Sequence, residues 1–218
     1  MTDFKAAIFD LDGTLLDSMA MWEKISAEFL AKKGLPIPDN YSDEIYSLTF
    51  RDAARYTINL FGLSELEHDL IGQWNEMALH EYSHNVGLKP YAKEYLAALK
   101  SRGVKLATAT ALPHVLAQAA LKNNGIDDYF DAYCSTDEVG RGKDFPDVFL
   151  LAAQRLAVPP EQCVVFEDLP QGVVSAKEAG MKVVCIYDAR AREQRELMQK
   201  TADLCLHDFE RAPIPAKC

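Results

Sequence analysis

The sequence predicts an α/β fold: a doubly wound parallel sheet covered by helices on both faces, with an α-helical segment inserted after its first strand. Three observations carry this. Short, mostly apolar runs at residues 6–9, 104–109, 163–166 and 182–186 alternate with longer amphipathic stretches, the pattern of strands buried on both faces. Pro90, Pro113, Pro146 and Pro170 stand where helices would begin, and Gly103, Gly125 and Gly180 where they would end, which is the asymmetry of helix termini. No strand-like run interrupts residues 17–87. The predicted division is a core of residues 1–16 and 88–218 and a helical insertion of residues 17–87.

The first strand, residues 6–9, leads directly into the insertion. Ser18 is placed to cap a helix whose broad apolar face carries Met21, Trp22, Ile25, Phe29 and Leu30 and which stops before Gly34. A second helix is expected over residues 42–61. A third should open on the capping box Ser64, Glu65, Leu66, Glu67 and carry Leu70, Trp74, Met77 and Ala78. The stripe Trp22, Ile25, Phe29 reads as internal packing of this segment. Weaker strand candidates lie at residues 132–134 and 203–206. Residues 211–218, with Pro213 and Pro215, read as a loosely held end.

Length and composition bound what the chain can do. Its 218 residues, 49% hydrophobic, suffice for one medium domain carrying a smaller insertion. With 23 basic and 33 acidic residues the net charge is −10, which makes a nucleic-acid backbone or an anionic membrane a poor partner. No run approaches the ~18 apolar residues of a spanning helix. The apolar start is broken by Asp10 and Asp12, unlike a signal peptide. The five cysteines are odd in number and lack C-x-x-C spacing, so they read as reduced thiols and not as a disulfide or zinc framework. The expectation is a soluble, cytoplasmic, monomeric protein.

The chemistry-bearing residues fall at predicted strand ends. In an open parallel sheet the carboxyl ends of the strands line the ligand crevice. Asp10 and Asp12 follow the first strand, with Gly13 allowing a sharp turn, and Glu167 and Asp168 follow the strand at 163–166. Close carboxylates repel unless a cation neutralises them or one is protonated. Two such clusters favour a hard cation, and their oxygen ligands favour Mg²⁺. Thr110 and Ala111 follow another strand just before Pro113 opens a helix, where a hydroxyl and backbone amides suit an anion. Lys143 sits in a loop before the next helix, without Walker A spacing. Singly, these residues read as turn, cap and surface charge. Their order and company do not.

The stretches FDLDGTLLDS (residues 9–18), Thr110, GKDFPD (142–147) and VVFEDLPQGVVSAKEAGM (164–181) together resemble the haloacid dehalogenase superfamily, in the β-phosphoglucomutase/phosphatase-like subgroup that carries a helical cap on a Rossmann-like core. The resemblance implies that Asp10 is a nucleophile forming an aspartyl-phosphate and Asp12 a general acid/base. It implies that Mg²⁺ is held by the Asp10 carboxylate, the Asp12 backbone carbonyl and Asp168, with Glu167 a ligand or a support behind them. Thr110, Ala111 and Lys143 would bind the transferring phosphoryl oxygens. The presence of Asp12 speaks against the dehalogenase branch.

The insertion should choose the substrate. It holds 12 acidic and 5 basic residues, −7 of the net −10. Arg51 resembles the substrate-binding arginine of β-phosphoglucomutase, and a surface pairing with Asp52 or Glu44 explains it equally well. Trp22 stands where the mutases have a histidine, and Ala111, Leu112 and Pro113 replace polar residues. His114 at a helix start reads as structural. These departures favour a Mg²⁺-dependent phosphatase acting on a small phosphorylated metabolite, such as a sugar phosphate. A sugar phosphomutase is the alternative. A catalytically silent phosphate-binding regulator is a third, and its expected signature, loss of Asp10, Asp12 or the second acidic cluster, is absent.

Overall fold

Strands this short and this apolar remain in place because each is buried on both faces and paired along its edges. The computed structural model describes residues 3–46, 48–187 and 195–216. Its strands are β1 (Ala6–Phe9), β2 (Lys105–Thr108), β3 (Cys163–Glu167), β4 (Lys182–Ile186) and β5 (Leu204–Leu206), all parallel, in the order β2-β1-β3-β4-β5. Alternate residues feed two cores. Ala7, Phe9, Leu106, Val164 and Phe166 face one, and Ala6, Ile8, Ala107, Val165 and Val183 the other. Phe9 and Phe166 are in register and stack with centroids 4.7 Å apart.

Ten helices complete the described fold. Between β1 and β2 come α1 (Met19–Lys32), α2 (Tyr41–Tyr46), α3 (Phe50–Phe61), α4 (Glu67–His84) and α5 (Ala92–Ser101). Later come α6 (His114–Asn123), α7 (Thr136–Val139), α8 (Asp147–Leu156), α9 (Pro170–Glu178) and α10 (Arg195–Thr201). The four predicted prolines stand within two residues before a helix or at its first position: Pro90 before α5, Pro113 and Pro146 at the caps of α6 and α8, and Pro170 opening α9.

The helical segment differs from its sequence reading in three places. The helix expected over residues 42–61 is two, because the Thr49 hydroxyl accepts from the Asp52 amide and starts α3 afresh. The capping box at residues 64–67 does not form: Leu66 is the cap of α4, and the Glu65 carboxylate is taken by Lys33. Ser18 occupies the cap of α1 without a side-chain capping bond, since its hydroxyl donates to Asp12 instead. The chain enters and leaves this segment through paired passes. The Asp17 amide donates to Gly87 O and the Lys89 amide to Leu15 O, both at 2.9 Å. From the segment, α4 packs on α6 as well as on α1 and α3.

Two other expectations change. Residues 132–134 do not form a strand. They run beside β2 through isolated bridges and the bonds from Thr108 N to Ala132 O and from Thr110 N to Cys134 O. The described part of the C-terminal stretch is not loose: Tyr95 Oη donates to Pro213 O at 2.7 Å, Arg102 to Pro215 O, and Ala212 is buried. Residues 217 and 218 lie outside the described residues, Cys218 among them. Cys134, Cys163, Cys185 and Cys205 are free thiols, and no described helix is long and apolar enough to cross a membrane.

Phe209 tests this arrangement. It is buried against Phe9, Tyr95 and Phe166 at the back of the sheet. Phe209→Ala should lower unfolding stability in urea by about 3 kcal/mol, the usual cost of deleting a core aromatic ring. Loss below about 1 kcal/mol would show that the C-terminal stretch does not help to close this core.

Candidate active site

The carboxyl ends of β1, β2 and β3 bring the predicted residues together. β1 lies between β2 and β3, so the strand order reverses beside it while all strands stay parallel, and a crevice opens there, where ligands bind in such sheets. Asp10 leaves β1, Thr110 lies just past β2, and Glu167 and Asp168 end β3. All are deeply buried: Asp10 is 4% exposed, Thr110 2%, Glu167 and Asp168 0%. Asp10, Glu167 and Asp168 place carboxylate oxygens within 4.8 Å of one another. Lys143, 8% exposed, is paired with Asp10 and with both oxygens of Glu167 at 3.2 and 3.3 Å. Burial alone would pull its ammonium down, but Asp10 and Glu167 outweigh that and push it up.

Local packing explains why these side chains hold their positions. Ser175 of α9 donates to the carbonyl of Lys143 at 2.6 Å and so ties the lysine loop to the helix after β3. Gly172 of α9 lets Glu167 lie against the helix, since a Cβ there would meet its Cγ at 2.6 Å. Gly13 has φ +76° and a Cβ there would stand 3.0 Å from Asp168 Cγ. Only glycine meets both demands. Thr14 donates to Asp168 Oδ1 at 3.1 Å. Thr110 Oγ1 accepts from the Leu112 amide at 3.1 Å, which folds the turn before α6.

Three buried carboxyl groups stand beside the Lys143 ammonium. Burial, Asp10 and Asp168 push the Glu167 carboxyl up, against the pull of Lys143. This all-oxygen donor set fits a hard divalent cation. Asp10 and Asp168 would be its ligands, with Glu167 beside Lys143.

Asp12 points elsewhere. Its carboxylate accepts from Ser18 Oγ at 2.6 Å, Trp22 Nε1 at 3.1 Å and Tyr82 Oη at 2.6 Å, and Tyr82 Oη stands 2.7 Å from the second oxygen. Burial raises its pKa to about 6, with the donors of Ser18, Tyr82 and Trp22 opposing and the charge of Asp10 adding. The side chain of Asp12 is therefore no member of the carboxylate cluster, and a contribution to a cation from this residue would fall to its backbone. Tyr82 was missed by the sequence reading, because nothing in a helix from Glu67 to His84 marks which aromatic turns toward a residue 70 positions away.

A cavity of about 220 Å³ opens above these groups, lined by Asp10, Asp12, Thr110, Ala111 and Lys143 from the sheet side. Trp22, Ile25, Phe50, Ala53 and Trp74 line it from the helical segment. Trp22 and Ile25 thus belong to the cavity wall as well as to the packed stripe, whereas Phe29 is core alone. Arg51 is not brought in. It is exposed on the first turn of α3, and this turn lines the cavity with Thr49, Phe50, Asp52 and Ala53. His114 packs edge-on against Tyr133.

The family model for haloacid dehalogenase-like hydrolases matches residues 7–186. A phosphorylated carbohydrates phosphatase of Thermotoga maritima is 30% identical over 178 residues, 82% of each chain. Hexitol phosphatase A of Escherichia coli is 30% identical over 212 residues, covering 96% of this chain and 94% of its own. The crystal structure of CbbY from Rhodobacter sphaeroides in complex with phosphate matches with a TM-score of 0.84 over 95% of this chain and 96% of that one; at 24% identity the likeness is one of fold.

The carboxylate cluster makes a prediction that needs no substrate. Mg²⁺ should raise the thermal unfolding midpoint, by the equivalent of about 2.7 kcal/mol at one hundred times its dissociation constant. Asp168→Asn should abolish that rise and the heat of Mg²⁺ binding in calorimetry. A wild-type midpoint indifferent to Mg²⁺ would mean that a proton, and not a metal, relieves the repulsion.

Proposed function

The chain belongs to the haloacid dehalogenase-like hydrolase family, and from that premise we propose that it is a Mg²⁺-dependent phosphatase of small phosphorylated metabolites, working through an aspartyl-phosphate. The observation that carries the reading is Asp10 buried between Lys143 and two further carboxylates on the floor of a cavity. A carboxylate paired with an ammonium is held in one orientation, as a nucleophile must be. Lys143, Thr110 and the backbone at Ala111 line the same floor and suit three phosphoryl oxygens.

The steps follow from these positions. An oxygen of Asp10 attacks phosphorus, the ester P–O bond breaks, and its electron pair leaves on the ester oxygen. Asp12 gives its proton to that oxygen, which departs as an alcohol. Burial raises the Asp12 carboxyl to about 6, which suits a group that acts first as an acid and then as a base near neutral pH. The Asp12 carboxylate next takes a proton from water, whose oxygen attacks phosphorus, and phosphate leaves with Asp10 restored. Bound Mg²⁺ would add positive charge beside the phosphoryl oxygens, where most catalysis of phosphoryl transfer arises.

Residues 17–87 act in this reading as a cap that chooses the leaving group. Among the described residues of the cavity lining Lys143 is the cation, and the helical side supplies apolar side chains together with the carboxylates of Glu23 and Asp52. That arrangement accommodates one phosphoryl group and disfavours a second anion on the substrate. Supporting relatives are a phosphatase of phosphorylated carbohydrates and a hexitol phosphatase, whose named substrates are polyhydroxy phosphate esters.

Asp10→Asn should reduce turnover by several powers of ten while leaving the thermal transition intact. Substantial phosphate release by the purified variant would remove Asp10 from the nucleophile's role.

In a panel of phosphate esters, monoesters of neutral polyols should exceed phosphorylated carboxylic acids and bisphosphates in kcat/KM by at least about tenfold, one misplaced buried charge costing more than 1.4 kcal/mol. NMR of the products should show free alcohol and phosphate. Isomerised ester as the main product would instead establish a phosphomutase.

A further inference from the structure

Tyr82 stands at the meeting point of the helical segment and the sheet. It is fully buried on α4, and its hydroxyl lies 2.6 and 2.7 Å from the two oxygens of Asp12. Trp22 Nε1, from α1, donates to that same hydroxyl at 3.0 Å and to Asp12 Oδ2 at 3.1 Å. The two rings meet edge to face at 6.1 Å. Ser18 Oγ closes the set on Asp12 Oδ1.

The three donors are not equivalent. Ser18 lies six residues from Asp12 at the start of α1, and an indole N–H can only donate. The Tyr82 hydroxyl lies against both oxygens of Asp12 and accepts from Trp22, so it can donate to an oxygen of the carboxylate, or to the proton-free oxygen of the acid, without moving its ring. The indole N–H of Trp22 fills the other lone pair of that hydroxyl. A partner that fits either form keeps the carboxyl in one orientation while the proton comes and goes. Asp12 also lies in the cavity lining, so the orientation held is one that faces the substrate.

We propose that Tyr82 is a positioning residue for the reaction, holding the Asp12 carboxyl toward the leaving-group oxygen from the helical segment. The inference rests on the reading of Asp12 as general acid and goes one step past it. The acid is then aimed by α4 and α1, so the elements that would select the leaving group also orient the group that protonates it. In the step concerned, the Asp12 O–H bond breaks, its proton joins the ester oxygen as the P–O bond breaks, and the Tyr82 hydroxyl donates to the Asp12 carboxyl throughout. Tyr82 gains and loses no proton.

The experiment compares two esters in three variants. An alkyl phosphate needs its leaving oxygen protonated, and p-nitrophenyl phosphate, with a stable leaving phenolate, does not. Tyr82→Phe should lower kcat/KM for the alkyl ester by about tenfold to a hundredfold, within the usual range of acid catalysis, and for the aryl ester by less than about threefold. Asp12→Ala should show the same split more strongly. In the double variant, Tyr82→Phe should add nothing further to the alkyl loss, because two residues that act as a unit are not additive. Equal losses on both esters in Tyr82→Phe, or additive losses in the double variant, would overturn the inference while the acid assignment stood. Equal losses on both esters in Asp12→Ala would remove the acid assignment, and the inference with it.

Discussion

One buried ammonium among three buried carboxylates is the constraint around which the site is organised. Removing one partner of a buried ion pair typically costs about 3–5 kcal/mol, because the charge left behind has no water to turn to. Lys143 can satisfy Asp10 and Glu167, yet Asp168 is as deeply buried and lies in the same cluster. A fold that tolerates this arrangement must hold the groups firmly in place, and the cluster is one that could hold a metal ion. Rigid support is visible on every side: Ser175 on the lysine loop, Thr14 on Asp168, and glycines at 13 and 172 where a side chain would collide with the carboxylates.

That constraint also explains the division of labour between sheet and helices. The ends of β1, β2 and β3 supply the carboxylates and the Thr110 hydroxyl, held by a ladder that cannot shift without disturbing both cores. The helical segment supplies an apolar wall and, through Trp22 and Tyr82, the hydrogen bonds on Asp12. Asp12 is thus joined to the sheet by its backbone and to the helices by its side chain. The paired passes at Asp17 and Gly87 keep the two parts in one relation. The packing of α4 on α6 adds a second contact between them.

Much of this was legible in the sequence. Apolar runs alternating with proline-started helices sufficed for a parallel sheet, and the acidic residues after two of those runs, with Thr110 and Lys143, sufficed for the floor of the site. The misreadings share a cause. Ser18 and the 64–67 box carry good capping chemistry, but their side chains or their neighbours find better partners across the fold: Asp12 for Ser18, Lys33 for Glu65. Residues 132–134 have strand composition but only bridges to pair with, since β2 is short. Local preference is worth about 1 kcal/mol at a cap, and a tertiary charge-assisted bond is worth as much or more.

The sequence by itself determined what lies close along the chain or at the end of a strand. Asp10 and Asp12 are two residues apart, Glu167 and Asp168 are adjacent, and a parallel sheet necessarily collects its strand ends at one edge. Only the tertiary structure decided which side chains from helices reach that edge. Tyr82 is brought to Asp12 and Arg51 is left exposed on α3, although both lie in helical stretches of ordinary amphipathic pattern. The reason is rotational: helical periodicity says which face of a helix is apolar, but how the face is turned is settled by packing against α1, α3 and α6, and no local pattern encodes that angle.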